Sequence, residues 1–366
     1  MHLLTAIEHT GPDDGASWAT LQMAEELVAR GHTIDLLYRR EGLALRRWEA
    51  IARTVTQVTN IDTFGVRDLL TAPTRLRPAV AAGRRTHPDL VWDARYWTLP
   101  LSRGVAGRRV PVVCHCHAFP DPPGKGDRVF TRLADRYVAV SGFTRDELLL
   151  RGARPGAVRV VHNGIDPRTY PRGGQQERRA ARQALGLPAD AYVVLTYSRL
   201  VPGKGVEVAI DAVSRLDRDA VLVVAGPHLD DGYLRTLTER GGQRTRFLGF
   251  LGDVVQALHA ADVVLAPSLL PETFGRTTIE ALATGRPVVA TRVGGVPEVL
   301  TGQFVRLLVE PGDVAGTAAV LESLRGWQER EPGLAGACVE HVARHFTLAR
   351  TIDRLEGVFD EVRPAA

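Results

Sequence analysis

Apolar positions along this chain follow two rhythms in turn. Short continuous apolar runs at 3–7, 33–38, 90–93, 110–114, 136–140 and 158–162 have the length and β-branched content of buried strands. Asp13-Asp14-Gly15-Ala16-Ser17 reads as a turn. After it Leu21, Ala24, Leu27 and Val28 share one face of a helix over 19–30, which Gly31 ends. Residues 41–87 are ambiguous, read as helical in part, and carry no motif. The second half is clearer, with strands predicted at 192–197, 220–225, 245–248, 263–266 and 287–290. Helices are predicted between them at 206–216, 232–240, 254–261 and 277–283. Parallel strands need a crossover, usually a helix, so this alternation predicts α/β layers. The turn-rich stretch 163–176 (Gly164, Pro167, Pro171, Gly173, Gly174) is the expected linker. Two parallel-sheet domains facing a central crevice result, with ligands expected outside the carboxyl ends of the strands.

Composition narrows this picture. At 366 residues, 45% hydrophobic and 24% charged, the chain can build two cores and has no signature of disorder. No apolar run approaches the ~18 residues that cross a bilayer, and the amino terminus turns polar at Glu8-His9, too early for a secretory signal. Three cysteines, two of them one residue apart, exclude a disulfide scaffold and point to a cytoplasmic location. Residues 1–168 hold 24 Lys+Arg against 18 Asp+Glu, and the rest 22 against 24, with no basic block. Nucleic acid is therefore not an expected partner. The mild excess in the first half fits a solvated arginine face or a weak peripheral membrane contact. Only Lys125 and Lys204 are lysine.

Three fragments of the second half carry chemistry: Ser198-Arg199-Leu200-Val201-Pro202-Gly203-Lys204-Gly205, then Phe247-Leu248-Gly249-Phe250, then PSLLPETFGRTTIEALATGRPVVAT over 267–291. In the last, seven residues separate Glu272 from Glu280, and Phe274-Gly275 opens a predicted helix. Gly275 lets an anion approach the free amides of that helix's first turn, where the dipole favours negative charge. Arg199 and Lys204 follow a strand end at a spacing that lets two cations meet one diphosphate. The carboxylates suit hydroxyl groups on either side of it. Singly, each element reads as structural: a lone Glu as a solvated face, the Gly-Lys-Gly turn as a turn without Walker spacing. Their order and strand-end placement favour the ligand-binding reading.

With these fragments in hand, the chain resembles a retaining glycosyltransferase of family 4, with the GT-B fold of two Rossmann-like domains. The similarity is strongest over 158–300. It implies an N-terminal acceptor domain over 1–165, joined by a crossing C-terminal helix at 345–366, and a nucleotide-sugar donor domain over 175–344. It implies that Glu272 meets hydroxyls of the donor sugar and Glu280 the ribose. Amides around Phe274, Gly275 and Thr277 meet sugar and diphosphate, and Arg199 and Lys204 stabilise the leaving diphosphate in place of a metal. Phe250 flanks the nucleobase, and Gly15 approaches the diphosphate. No cofactor is implied beyond a nucleoside-diphosphate sugar, UDP- or GDP-linked, and a small hydroxylated acceptor. By the same resemblance His115 lies near the donor sugar, a packed buried imidazole being the alternative.

Cys114-His115-Cys116-His117 is not expected to hold a metal, since strand alternation sends the two cysteines and the two histidines to opposite faces. Asp93, Arg95, Tyr96, Trp97 and His117 follow strand ends and suit a polyhydroxylated acceptor, while Asp13 and Asp14 could attract a cationic one. The sequence departs from the family pattern at Thr273 and at Arg276, which stands near the expected sugar site. The rival readings are another sugar-nucleotide enzyme of this fold, an epimerase or phosphorylase, and a catalytically silent nucleotide-sugar binding subunit. A dehydrogenase is disfavoured because no G-x-G-x-x-G follows a strand.

Overall fold

The computed structural model describes residues 1–11, 15–119, 123–124 and 126–363, with backbone only at 65–67. Asp13, Asp14 and Lys125 lie outside the described residues. The chain divides into two compact units, Met1–Asn163 with Leu348–Ala366, and Gly164–Thr347.

In the first unit β1 (His2–His9), β2 (Thr33–Arg40), β3 (Thr54–Gln57), β4 (Leu90–Asp93), β5 (Val112–Cys116), β6 (Arg136–Ala139) and β7 (Val158–Val160) form one sheet. Its order is β3-β2-β1-β4-β5-β6-β7, and the strand pairs are parallel. The order reverses between β1 and β4, and in such doubly wound sheets the carboxyl ends beside that point hold ligands. Alternation along the strands separates two cores. Leu3, Ile7, Leu36, Trp92 and Val138 pack against Met23 and Leu27 of the Gly15–Ala29 helix and against Ile352, Leu355 and Phe359 of the Leu348–Val362 helix. Leu4, Leu37, Val91, Cys114, Cys116 and Tyr137 face the other way, toward Leu76, Leu99 and Leu101.

The ambiguous stretch 41–87 resolves into helices Leu45–Ile51, Gly65–Arg75 and Arg77–Arg84 with β3 among them. β5 begins two residues later than its apolar run predicts. Pro111 has no N–H for the ladder, and the strand then continues through His115 and Cys116 in register with Val138 and Ala139.

The second unit repeats the plan. β8 (Tyr192–Tyr197), β9 (Ala220–Ala225), β10 (Thr245–Gly249), β11 (Val263–Ala266), β12 (Val288–Thr291) and β13 (Leu308–Val309) run in the order β10-β9-β8-β11-β12-β13, again parallel. The reversal lies between β8 and β11. The turn-rich stretch after Asn163 is not loose, since Ile165 is wholly buried, Tyr170 is 7% exposed, and Ile165 N donates to Phe346 O at 2.9 Å. No helix among the described residues is long and apolar enough to cross a membrane.

Candidate active site

In the second unit the loops leaving β8 and β11 are pressed together. Gly205 has φ +73°, and a Cβ there would lie 1.9 Å from Pro267 O, so only glycine fits. Leu269 N donates to Gly203 O at 2.8 Å, which fixes one loop on the other. This closeness brings Lys204 Nζ to 2.5 Å from Glu272 Oε1, an oxygen that also accepts from Ser268 Oγ. The Glu272 backbone is held from a third side. Gly295 N donates to its carbonyl at 2.8 Å, and a Cβ on Gly294 would lie 2.0 Å from that same oxygen.

Gly275 (φ +95°) caps the Arg276–Ala283 helix, whose first turn carries Thr277 and whose second carries Glu280. Phe274 is 2% exposed and packs edge-on to Phe346 at 5.8 Å, so it offers a ligand its backbone and not its ring. Glu280 is enclosed by partners: Arg276 Nε at 2.7 Å on Oε1, and Tyr197 OH at 3.2 Å from Oε2. Tyr197 OH also donates to Thr277 O at 2.8 Å, and the Tyr170 hydroxyl lies close enough to Arg276 and Glu280 to interact with both electrostatically. Burial works against the charge on Arg276, but the Glu280 carboxylate outweighs it and holds the guanidinium above its usual range. The tyrosine hydroxyls are pushed up, first by burial and then by Glu280. Arg276 is thus committed to Glu280. Arg199, at the β8 end, is exposed and makes no ion pair among the described residues, and Phe250, just past β10, is 42% exposed.

The structure thus brings Lys204 to Glu272, and Arg276 to Glu280, beside one helix amino end at the sheet reversal. Sequence reading missed Tyr170, Tyr197, Ser268 and the Gly294-Gly295 pair. The glycines left a signal in their adjacency after a strand, whereas the tyrosines left none.

In the first unit two acceptor candidates are corrected. Asp93 is wholly buried. It accepts from Thr98 Oγ1, from Ser102 Oγ at 2.5 Å and from Arg95 N at 3.1 Å, so it anchors the turn into the Leu99–Ala106 helix. Tyr96 is 1% exposed, stacks on Phe130 at 5.6 Å and donates to Asp127 O at 3.1 Å, a core role. His115 lies inside β5 and not beyond its end. Its ring is fully buried beside Trp92 and 4.4 Å from His117, and burial holds it well below the usual imidazole range, so it is neutral. Neither of its ring nitrogens has a hydrogen-bond partner among the described residues.

His117 follows β5 and is 7% exposed, and Gly15 opens the Gly15–Ala29 helix. Arg95 and Trp97 stay at the β4 end. Arg95 pairs with Glu8 Oε2 at 3.0 Å, and its guanidinium lies 5.7 Å from the Trp97 ring centre. Among the described residues no three His, Cys, Asp or Glu side chains gather as a metal-holding set.

Comparison with known proteins gives the family and the fold. The family described as Glycosyltransferase Family 4 matches residues 14–169, and Glycosyl transferases group 1 matches 177–330. A D-inositol 3-phosphate glycosyltransferase of Mycolicibacterium vanbaalenii is 30% identical, over 94% of this chain and 85% of its own. Among solved structures, Anabaena HepE in complex with UDP-glucose superposes with a TM-score of 0.85 at 23% identity, covering 99% of this chain and 100% of its own. A Rickettsia africae glycosyltransferase gives 0.86 at 18%, covering 100% and 99%. At these identities the two structures speak to the fold.

Proposed function

Because this chain belongs to glycosyltransferase family 4 and moves a sugar from a nucleoside-diphosphate donor, we propose that the donor is a UDP-hexose and that transfer to a hydroxyl retains the anomeric configuration. The observation that carries this is the Lys204–Glu272 pair at the β8–β11 reversal. A sugar diphosphate divides such a pair between its own parts: phosphate oxygens take the ammonium, and sugar hydroxyls take the carboxylate. Neither charge is stranded in the exchange. Arg199 adds a second cation for the leaving diphosphate, the amides of Gly275, Arg276 and Thr277 face the same charge, and Glu280 holds the ribose hydroxyls. Phe250 flanks the base.

The reaction breaks the bond from the anomeric carbon to the phosphate oxygen and forms one from that carbon to the acceptor oxygen on the same face. The acceptor's proton passes to the departing phosphate oxygen. The electrostatic demand therefore falls on the leaving group, and Lys204 and Arg199 supply it. The mycobacterial relative acts on D-inositol 3-phosphate, and a cyclitol phosphate is the first acceptor class to test.

Incubation with UDP-glucose and D-inositol 3-phosphate, followed by proton NMR, tests the reading. We expect an α-linked product, full activity in EDTA, and about 100-fold lower kcat in Lys204→Ala with a smaller change in KM. A β-linked first product, or abolition by EDTA, would overturn it.

A further inference from the structure

At the carboxyl edge of the N-terminal sheet, a carboxylate is buried with nothing to accept. Asp62, which follows β3, is 5% exposed, and among the described residues neither of its oxygens has a hydrogen-bond partner. Its closest ion partner, Arg39 Nη1, is 3.8 Å from Oδ2, beyond hydrogen-bond range. Bare groups surround it. The next residue, Thr63, has a buried hydroxyl without a partner, and its N–H donates to Trp97 O at 2.9 Å. That bond brings in Trp97, whose buried indole N–H is also unpartnered. Arg75, close enough to act on Asp62 electrostatically, has Nε and Nη2 buried without hydrogen bonds. Burial, and then Glu8, push the Asp62 carboxyl up to about 6 against the pull of Arg95, Arg39 and Arg75. Buried polar atoms are seldom left unmatched, and a cluster of them needs an explanation.

The mixture of bare groups specifies what would complete it. A carboxylate needs donors, while guanidinium and indole N–H groups need acceptors, within one small region. A phosphate would face Asp62 and Glu8, and an ammonium would face Arg39, Arg75 and Arg95. Hydroxyl groups both donate and accept, so they satisfy both sets without adding charge. Phe64, 55% exposed and 5.8 Å from the Trp97 ring, adds an apolar surface suited to the face of a sugar or cyclitol ring.

We propose that Asp62, Thr63 and the Trp97 indole form a subsite that reads the hydroxyl groups of a polyhydroxylated ring. Resting on the sugar-transfer reading above, this ring is the acceptor. Asp62 is then a binding residue for the acceptor and not for the donor.

The test titrates UDP, myo-inositol, glucosamine and inorganic phosphate separately into the full chain and its Asp62→Asn and Asp62→Leu variants by calorimetry. We expect myo-inositol to bind the wild type, to bind both variants about tenfold or more weakly, and UDP to bind all three alike. Unchanged UDP affinity also shows that the variants are folded. Unaltered myo-inositol binding in Asp62→Leu, no myo-inositol binding by the wild type, or tighter Asp62-dependent binding of glucosamine or phosphate would each overturn the subsite. Failure of the wild type to bind UDP would instead strike the donor reading, and leaves the myo-inositol comparison to be judged separately.

Discussion

At the residue scale, the two unusual carboxylates of the N-terminal unit differ in what burial gives them. Asp93 and Asp62 are both pushed up to about 6 by burial. Asp93 spends its oxygens on Thr98, Ser102 and Arg95, and so organises a turn. Asp62 spends its oxygens on nothing, the pattern of a group kept for a ligand at some expense of stability. The consequence for pH follows from linkage. An acid whose folded pKa lies above its unfolded value binds more protons when folded, so its stabilising effect is present at low pH and is lost as pH rises toward the folded value. For Asp62 that window runs from 3.8 to about 6. Asp62→Asn has no charge to bury, and we expect it to be more stable than wild type at pH 7, by up to about 3 kcal/mol, with the advantage gone below pH 4. Urea unfolding at pH 3.5 and 7 measures this, and a variant less stable at pH 7 would contradict it.

At the element scale, the periodic segments were legible because burial enforces them. β4, β8, β9 and β11 occupy the residues their apolar runs predict, since parallel strands covered on both faces read as continuous apolar stretches. β3 escaped because it is a four-residue edge strand with polar threonines and partial exposure, leaving no run to detect. The placement of Glu272, Gly275 and Glu280 on a strand-end loop and the following helix was legible from spacing alone. The commitments of the side chains were not. Only the Arg276–Glu280 pair, four residues apart on one helix, follows from spacing; nothing in the chain order says that Tyr170, 110 residues before Glu280, lies beside them. Nor could the Asp93-Ala94-Arg95-Tyr96-Trp97 string show that two of its members face the core. Polar and aromatic residues at a strand end serve a ligand or a turn equally well, and only packing decides.

At the scale of the whole molecule, each half repeats one plan, a doubly wound parallel sheet with one reversal of strand order. The last helix, Leu348–Val362, belongs to the N-terminal unit and buries Leu348, Ile352, Leu355, Val358 and Phe359 there. At 1.5–3 kcal/mol for each apolar side chain, this is worth roughly 8–15 kcal/mol, comparable to the stability of a whole domain. A chain ending at Thr347 should therefore lose hydrogen-exchange protection throughout 1–163 while β8 to β12 keep theirs. Equal protection in both would contradict this. Central to the proposed reaction is the sharing of Lys204 and Glu272 by the two parts of a sugar diphosphate. Calorimetric titration of UDP and UDP-glucose into Glu272→Gln tests it most directly. Freed of its carboxylate, Lys204 should bind UDP at least as tightly as in the wild type, while UDP-glucose, deprived of its hydroxyl partner, binds about tenfold more weakly. Parallel weakening of both ligands, or unchanged UDP-glucose affinity, would contradict it.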